Sequence, residues 1–461
     1  MLYNNLFRFG GIILRRLVLI ALLLCLIPVS GITVTEEGFY TEMPEYLRIT
    51  QSTETREIRE NVCLRLTRPV SSNPEVDRVI SDIVDGFAEK YSPLLPDKKQ
   101  KVLHDLDIAP VVFRTGTSWI SFLTISRLSV GNTVTSLDYD SRVYDMKTGS
   151  RIMLSDIFPK SSEVWKLISD RVREQLSNCF PDETADPAVL DRICSVKSLK
   201  KADFSLSAAR LMLTWNSDIL YPGHGVLLHV FLDYSEIRPY MKKQAFRQTD
   251  NSKFRMVALT YDDGPSPIST VSVLNWLRET GQSATFFEVG FRLEDASNVV
   301  KRQYDSGCSI QSHGWLHKFS GDYTAKDQLE WKETFDKTLK SIIGIGPSMM
   351  RSAGGKEKPL ARMKIGYPLI NWSLISGDAL NNMPSVSDIA RRVYMSVRDG
   401  DIVLLHDLKS LSPLYTKEIL AHLTQMGVMC VTVDELFSDA GITLQENMIY
   451  HSTGEEPETA D

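Results

Sequence analysis

The apolar run Met256–Thr260 leads into Tyr261-Asp262-Asp263-Gly264-Pro265. Neighbouring carboxylates point in different directions, so one can ligate a metal ion while the other works as a base. The Gly-Pro pair then redirects the chain, and by itself this motif also describes a plain turn. A second run, Cys308–Ser312, ends in His313, followed by Gly-Trp-Leu and His317. Two imidazoles four residues apart can meet one ion if that stretch turns helically, and neutral His is a common Zn²⁺ ligand. Two His and one Asp leave positions on the ion for water and a substrate oxygen, as hydrolytic metal chemistry requires. A third run, Ile402–His406, places His406 beside Asp407. Ser348–Arg351 delivers Arg351 and then Gly354-Gly355, where backbone N–H groups could approach a ligand. Trp372 lies within Pro368–Leu374, and Asp378 follows soon after.

All of these polar residues stand at the ends of short apolar stretches, and those stretches alternate with amphipathic ones. Strands are expected at Met256–Thr260, Ala284–Val289, Cys308–Ser312, Ser348–Arg351, Pro368–Leu374, Ile402–His406 and Val428–Val433. Helices are expected at Ser269–Thr280, Asn298–Ser306, Lys326–Ile343, Val386–Arg398 and Leu414–Gln425. Such βα repetition implies a parallel sheet covered by helices, and about seven units suit a closed or nearly closed barrel with its chemistry where strands run into loops.

Upstream, residues 46–241 read as an α+β domain, with helices Pro74–Tyr91 and Ser161–Ser177 and strands such as Trp119–Val130, Val134–Tyr144, Arg210–Trp215 and Gly225–Leu232. Its histidines, His224 and His229, read as structural. Residues 242–252 are polar and suit a boundary, residues 32–45 read as an exposed linker, and residues 439–461 read as a polar tail. Before all of this, Arg8, Arg15 and Arg16 precede the apolar stretch Leu17–Val29, with no acidic residue until Glu36. Residues 1–31 therefore have the form of a secretory signal peptide or an uncleaved N-terminal anchor, and the chain is expected to be exported.

The chain has 461 residues, a 43% hydrophobic and 24% charged composition, and a formal net charge of −6. This excludes a mainly disordered, collagen-like or multi-spanning chain and gives no whole-chain reason to expect nucleic-acid binding. No obligate protein partner is expected. The six cysteines form no CxxC pair, which disfavours a cysteine zinc site. Cys179 and Cys194 could close a short loop in an oxidising compartment or stand as separate buried thiols.

Taken together and in order, these motifs resemble the polysaccharide deacetylase family, also called carbohydrate esterase family 4 or the NodB homology domain. The resemblance spans about residues 253–435. It rests on Thr260-Tyr-Asp-Asp-Gly-Pro-Ser266, Ala284-Thr-Phe-Phe-Glu-Val-Gly290, Ser312-His-Gly-Trp-Leu-His317, Arg351-Ser-Ala-Gly-Gly355, Trp372-Ser-Leu-Ile-Ser-Gly-Asp-Ala379 and Asp401-Ile-Val-Leu-Leu-His-Asp407. It implies a distorted (β/α)7 barrel of the NodB type over residues 253–438, preceded by the α+β domain.

The resemblance also implies residue roles. Asp263, His313 and His317 would hold a divalent metal, with zinc favoured and cobalt or manganese admitted. Asp262 would be the general base, oriented by Arg351, and His406 the general acid, supported by Asp378. The Gly354 N–H would help hold the oxyanion, and Trp372 would line the substrate groove. The substrate implied is the N-acetylglucosamine or N-acetylmuramic acid of cell-wall peptidoglycan. The implied place of action is the extracellular face of the cell membrane or the cell wall of a Gram-positive bacterium, with membrane contact through residues 1–31 if they are retained.

Four departures stand out. Ser352 and Ala353 replace prolines that would stiffen the loop after Arg351, Ile375 stands where an Asp is common, and Ala379 where a Trp is usual. These changes are expected to loosen the oxyanion loop and alter the groove wall. Residues 45–241 resemble a module found beside such deacetylases in Gram-positive bacteria and in lysozyme-sensing anti-sigma factors, which suggests wall binding. An O-acetyl esterase, or a binding or sensing protein with weak turnover, are the competing readings.

Overall fold

The computed structural model describes residues 38–160, 162–318, 323–380 and 382–459. The apolar leader at 1–31 lies outside the described residues. Among the described residues no helix is long and apolar enough to cross a membrane.

The protein is mixed α/β. Its upstream part is a six-stranded sheet in sequence order: β1 (Thr50–Arg59), β2 (Val62–Val70), β3 (His104–Arg114), β4 (Trp119–Val130), β5 (Thr133–Asp145) and β6 (Ser150–Ile152). Neighbours run antiparallel except β2 and β3, which are parallel because helix α1 (Pro74–Tyr91) crosses over between them. Asn73 caps α1 by accepting from the Val76 N–H, and Pro74 occupies the first turn, where a missing N–H costs nothing. Helix α2 (Ser162–Leu176), helix α3 (Pro187–Cys194) and a three-stranded antiparallel sheet follow: β7 (Phe204–Leu206), β8 (Arg210–Asn216) and β9 (Leu227–Asp233). His229 of β9 is buried and bonded to Thr214, and burial pushes its imidazole down to about 3. His224 stacks on Phe180 and pairs with Glu183. Both are structural, and Cys179 and Cys194 are separate buried thiols.

From Arg255 the chain makes parallel strands. β10 (Arg255–Asp262), β11 (Thr285–Glu288), β12 (Ser309–Ser312), β14 (Leu374–Ile375) and β15 (Ile402–His406) lie in the order β12-β11-β10-β15-β14, and β16 (Val428–Val431) pairs with the start of β10. Between β12 and β14, the two-residue β13 (Leu369–Ile370) pairs with β17 (Ile449–Tyr450). Helices α4 (Ser269–Thr280), α5 (Ser297–Asp305), α6 (Ala325–Ile343), α7 (Val386–Ser396), α8 (Ser412–Gln425) and α9 (Val433–Asp439) lie between and after these strands.

Strand β10 shows how the sheet positions chemistry. Its odd residues, Val257, Leu259 and Tyr261, pack into a core with Val273 and Leu277 of α4, Ile389 and Val393 of α7 and Ile419 of α8. Its even residues face the other way, first apolar (Met256 and Ala258) and then polar (Thr260 and Asp262). All are buried, as expected of a central parallel strand.

Two expected strands are much reduced. Ser348–Arg351 contributes one residue, Met350, which bridges Ser312 on one side and Leu369 on the other. Pro368–Leu374 resolves into β13 and β14. Pro368 has no N–H to donate, and the Asn371 side chain accepts the Trp372 N–H instead of leaving it to a ladder.

The described parts of the segments read as linker and tail, residues 38–45 and 439–459, are packed. Tyr40 is buried against Phe254, with ring centroids 4.9 Å apart, and Met43 is fully buried. Ile449 and Tyr450 are buried and paired, so residues 439–459 are not a frayed end. Their acidic composition hides the apolar spacing Ile442, Leu444, Met448, Ile449 and Tyr450, which is too short to register as an element.

Charge ties the upstream sheet to the C-terminal helices. Asp107 of β3, only 7% exposed, accepts from Arg278 of α4 at 3.0 Å and from Arg302 of α5 at 2.8 Å. Arg127 of β4 pairs with Asp305. Burial opposes the Asp107 charge, but the two guanidinium groups hold its carboxyl well below the usual range. Asp107→Asn would leave the largely buried Arg278 without its counter-charge and Arg302 with only the longer Asp105 contact at 3.6 Å, and it is expected to cost about 3 kcal/mol. The check is the urea midpoint of the full chain; an unchanged midpoint would show the pairs to be dispensable.

Candidate metal and acid–base site

β10 ends in Asp262, and the next residue turns the chain. Asp263 has φ +80°, a left-handed conformation that Asp tolerates better than most side chains, so the two carboxylates leave the strand in different directions. Gly264 is required by space. A Cβ there would lie 2.5 Å from Glu288 Oε2 and 2.7 Å from Asp407 Oδ1. Those two carboxyls are buried behind the turn, and burial raises both above the ordinary carboxylate range, helped by the Asp407 charge at Glu288 and by the Asp263 charge at Asp407.

Asp263, His313 and His317 converge. Asp263 Oδ1 lies 3.4 Å from His313 Nε2 and 3.1 Å from His317 Nε2, and the three ligand atoms fall within 4.8 Å of one another. His313 Nδ1 faces the Arg351 carbonyl at 3.0 Å, which makes Nδ1 the protonated nitrogen and turns the Nε2 lone pair toward Asp263. Asp263 Oδ1 is buried without a hydrogen-bond donor of its own. A carboxylate oxygen and two imidazole nitrogens facing one point fit a divalent cation.

Asp262 stands beside this cluster without belonging to it. Its Oδ1 accepts from Arg351 Nη1 at 2.8 Å, and its Oδ2 lies 3.8 Å from His313 Nε2. Arg351 is fully buried and over-determined. It also donates to Thr260 Oγ1 at 2.7 Å, to the Ile370 carbonyl at 3.0 Å and to the Asn371 carbonyl at 2.9 Å, and its guanidinium lies 4.1 Å from the centre of the Phe287 ring. One oxygen of Asp262 is thereby fixed, and the other is left toward the cluster.

On the other side of β10, the parallel ladder sets His406 of β15 directly opposite Asp262. His406 Nδ1 is 3.0 Å from Asp378 Oδ1, and Asp378 Oδ2 accepts the His406 backbone N–H at 2.8 Å. Ser376 and Tyr415 hold the same carboxylate, the Tyr415 hydroxyl at 2.7 Å. Burial disfavours a charged His406, yet the hydrogen bond and charge of Asp378 raise its imidazole above the ordinary value. For Asp378 burial acts upward, but the hydrogen bond and charge of His406 together with the Tyr415 and Ser376 hydroxyls outweigh it, so its carboxyl is lowered.

Gly354 lies at the exposed lip of the loop after Arg351 with φ +70°. Trp372 is half-buried against Gly355, where a Cβ would come within 2.5 Å of its ring, and it lies 5.6 Å from the Arg351 guanidinium. Ile375 is 50% exposed, so its apolar side chain does face solvent at the end of β14. Four supporting residues escaped sequence reasoning: Thr260, Asn371, Glu357 and Tyr415. The burial of Glu357 pushes its carboxyl up to about 7, and its Oε1 accepts the Ser352 N–H at 3.1 Å. Nothing in the spacing of these residues marks them, since each is recruited by a strand or loop distant in sequence.

The arrangement sets three metal-ligating side chains, Asp263, His313 and His317, beside Asp262 and the His406–Asp378 pair on a parallel β/α sheet. The chain belongs to the polysaccharide deacetylase family. The family model described as polysaccharide deacetylase matches residues 249–365. A peptidoglycan-N-acetylglucosamine deacetylase of Bacillus cereus is 32% identical over 192 residues, 40% of this chain and 88% of that protein. A peptidoglycan-N-acetylglucosamine deacetylase of Listeria monocytogenes is 26% identical over 307 residues, 64% of each chain. A peptidoglycan-N-acetylmuramic acid deacetylase of Bacillus subtilis is 22% identical over 316 residues, 64% of this chain and 67% of that protein. The chain thus spans a little under two thirds of the Listeria relative's length. That match is longer than residues 253–461, so the likeness continues into the upstream region.

Proposed function

We propose that this protein is an exported, metal-dependent hydrolase that removes N-acetyl groups from peptidoglycan, at N-acetylglucosamine or N-acetylmuramic acid. The observation that carries the reading is the placement of Asp262 between two assemblies: the Asp263–His313–His317 cluster on one side and the His406–Asp378 pair on the other. A divalent ion, zinc by preference and cobalt or manganese by the same donor set, would polarise the amide carbonyl and acidify a water when bound. Asp262, with the oxygen Arg351 leaves free, would take the proton of the attacking water as that water's oxygen adds to the amide carbonyl carbon. His406 gives its proton to the departing sugar amine, and Asp378 stabilises the imidazolium before transfer. The Gly354 N–H faces the developing oxyanion, and Trp372 forms a wall for the sugar.

The same reading assigns residues 1–31 to export or anchoring in a Gram-positive cell, residues 46–241 to a wall-associated accessory domain, and residues 253–438 to catalysis. The buried ion pairs around Asp107 support an accessory domain that is fixed against the catalytic one.

The test is full-length, zinc-loaded protein on purified peptidoglycan, with acetate and new free amines measured together. Equal amounts of both are expected. Acetate without amine would move the assignment to an O-acetyl esterase, and neither product, on peptidoglycan or chitin-type oligomers, to a binding protein.

The pH profile has a definite sign. A general acid works below its own pKa, and Asp378 raises that of His406, so activity persists to higher pH than an ordinary imidazole would allow and falls as pH rises through the raised value. Asp378→Asn is expected to move that alkaline limb to lower pH and to reduce kcat. An unmoved limb in a kcat–pH profile would exclude His406 as the acid.

A further inference from the structure

We infer that Glu357 is a positioning residue for His313, acting through the Arg351–Ser352 peptide. Both ends of this one peptide unit are engaged. Its carbonyl accepts from His313 Nδ1 at 3.0 Å, and its N–H donates to Glu357 Oε1 at 3.1 Å. Glu357 is 2% exposed, so the contact is made without competing water. Its other oxygen lies 3.4 Å from Asn371 Nδ2, and the Asn371 carbonyl is an acceptor for Arg351 Nη2.

An acceptor on the N–H side polarises a peptide and strengthens its carbonyl as an acceptor in turn. Here that carbonyl fixes the tautomer and ring angle of His313, and with them the direction of the Nε2 lone pair. Partners outside the ligand set of this kind typically change metal affinity by about 10–100-fold.

The arrangement depends on Ser352. A proline at this position has no N–H to offer. Ser352 ties Glu357 through its backbone N–H at 3.1 Å, and its hydroxyl adds to holding the same carboxyl down against burial. Ser352 has φ −80°, which a proline ring also accepts. The loop expected to be loosened by Ser352 and Ala353 is thus tied from within by a carboxylate five residues on.

The inference rests on Asp263, His313 and His317 being the metal site, and its readout is zinc affinity, not turnover alone. Zinc binding to the full-length protein is measured by competition with a chromogenic chelator for Glu357→Ala, Glu357→Gln, Ser352→Pro and the Ser352→Pro/Glu357→Ala double variant. Glu357→Ala is expected to weaken zinc binding about 10-fold. Glu357→Gln, nearly isosteric, keeps an acceptor oxygen without the charge and is expected to fall between, which guards against a folding defect in the alanine variant. Ser352→Pro alone is expected to weaken binding, because it strands the buried carboxylate. Adding Glu357→Ala to Ser352→Pro is then expected to cost nothing more. Wild-type affinity in both Glu357 variants, or an equal Glu357→Ala loss with and without Ser352→Pro, would overturn the inference. A wild-type protein that binds zinc but releases no acetate would sink the deacetylase reading and leave this one standing.

Discussion

Asp262→Asn is expected to lower kcat for acetate release by about 10²–10⁴-fold, the usual contribution of a positioned general base, while zinc still binds at one equivalent. The geometry makes the two readouts separable. Asparagine retains an oxygen for the Arg351 Nη1 bond, now 2.8 Å, so the buried guanidinium keeps its partner and the loop keeps its shape. The metal position is built from Asp263, His313 and His317, none of which needs the Asp262 charge to reach its place. What asparagine lacks is a second oxygen that can take a proton. Single-turnover kinetics with zinc analysis on the same sample decide the matter: kcat within a few-fold of wild type would remove Asp262 from the reaction, and loss of zinc would make it a ligand instead.

His313→Ala should abolish stoichiometric zinc binding, with affinity falling by more than about 100-fold. Losing a partner outside the ligand set already costs about 10–100-fold, and this change removes a ligand outright. His313 is the more buried of the two imidazoles, 2% exposed against 41% for the His317 side chain, and its Nδ1 is held by the Arg351 carbonyl. His317 is expected to be the more forgiving position for that reason. The check is recovery after chelation. Wild-type protein stripped with a strong chelator should regain activity on adding zinc, and His313→Ala should not. Activity in the variant that survives stripping would mean that the hydrolysis needs no metal at this cluster. The variant also empties a buried site, so its circular dichroism should be compared with wild type before the result is read.

The two experiments address different halves of one site. The first asks whether the carboxylate held by Arg351 moves a proton, and the second whether the neighbouring cluster holds an ion. Combined with the pH behaviour of His406, they distinguish a hydrolase from a glycan-binding relative that has kept only the metal position.

The sequence by itself determined the family, the parallel βα rhythm and nearly every residue that reaches the site. It could do so because strand-end chemistry is local. Asp262-Asp263-Gly264, His313 with His317, and His406-Asp407 each lie within a few residues of an apolar run. Only the tertiary structure decided what those residues lean on. Arg351 is held by Thr260, Ile370 and Asn371, His406 by Asp378 and Tyr415, and the Ser352 N–H by Glu357. A buried polar group must be hydrogen-bonded, but its partner can come from any element the fold brings close, and no spacing records which. The same reason explains the packed ends. Tyr40, Met43, Ile449 and Tyr450 sit in polar stretches too short to show a period, and they are buried because Phe254 and β13 present surfaces to them. It also explains Asp107, an unremarkable acidic residue on a strand until two arginines from separate helices converge on it.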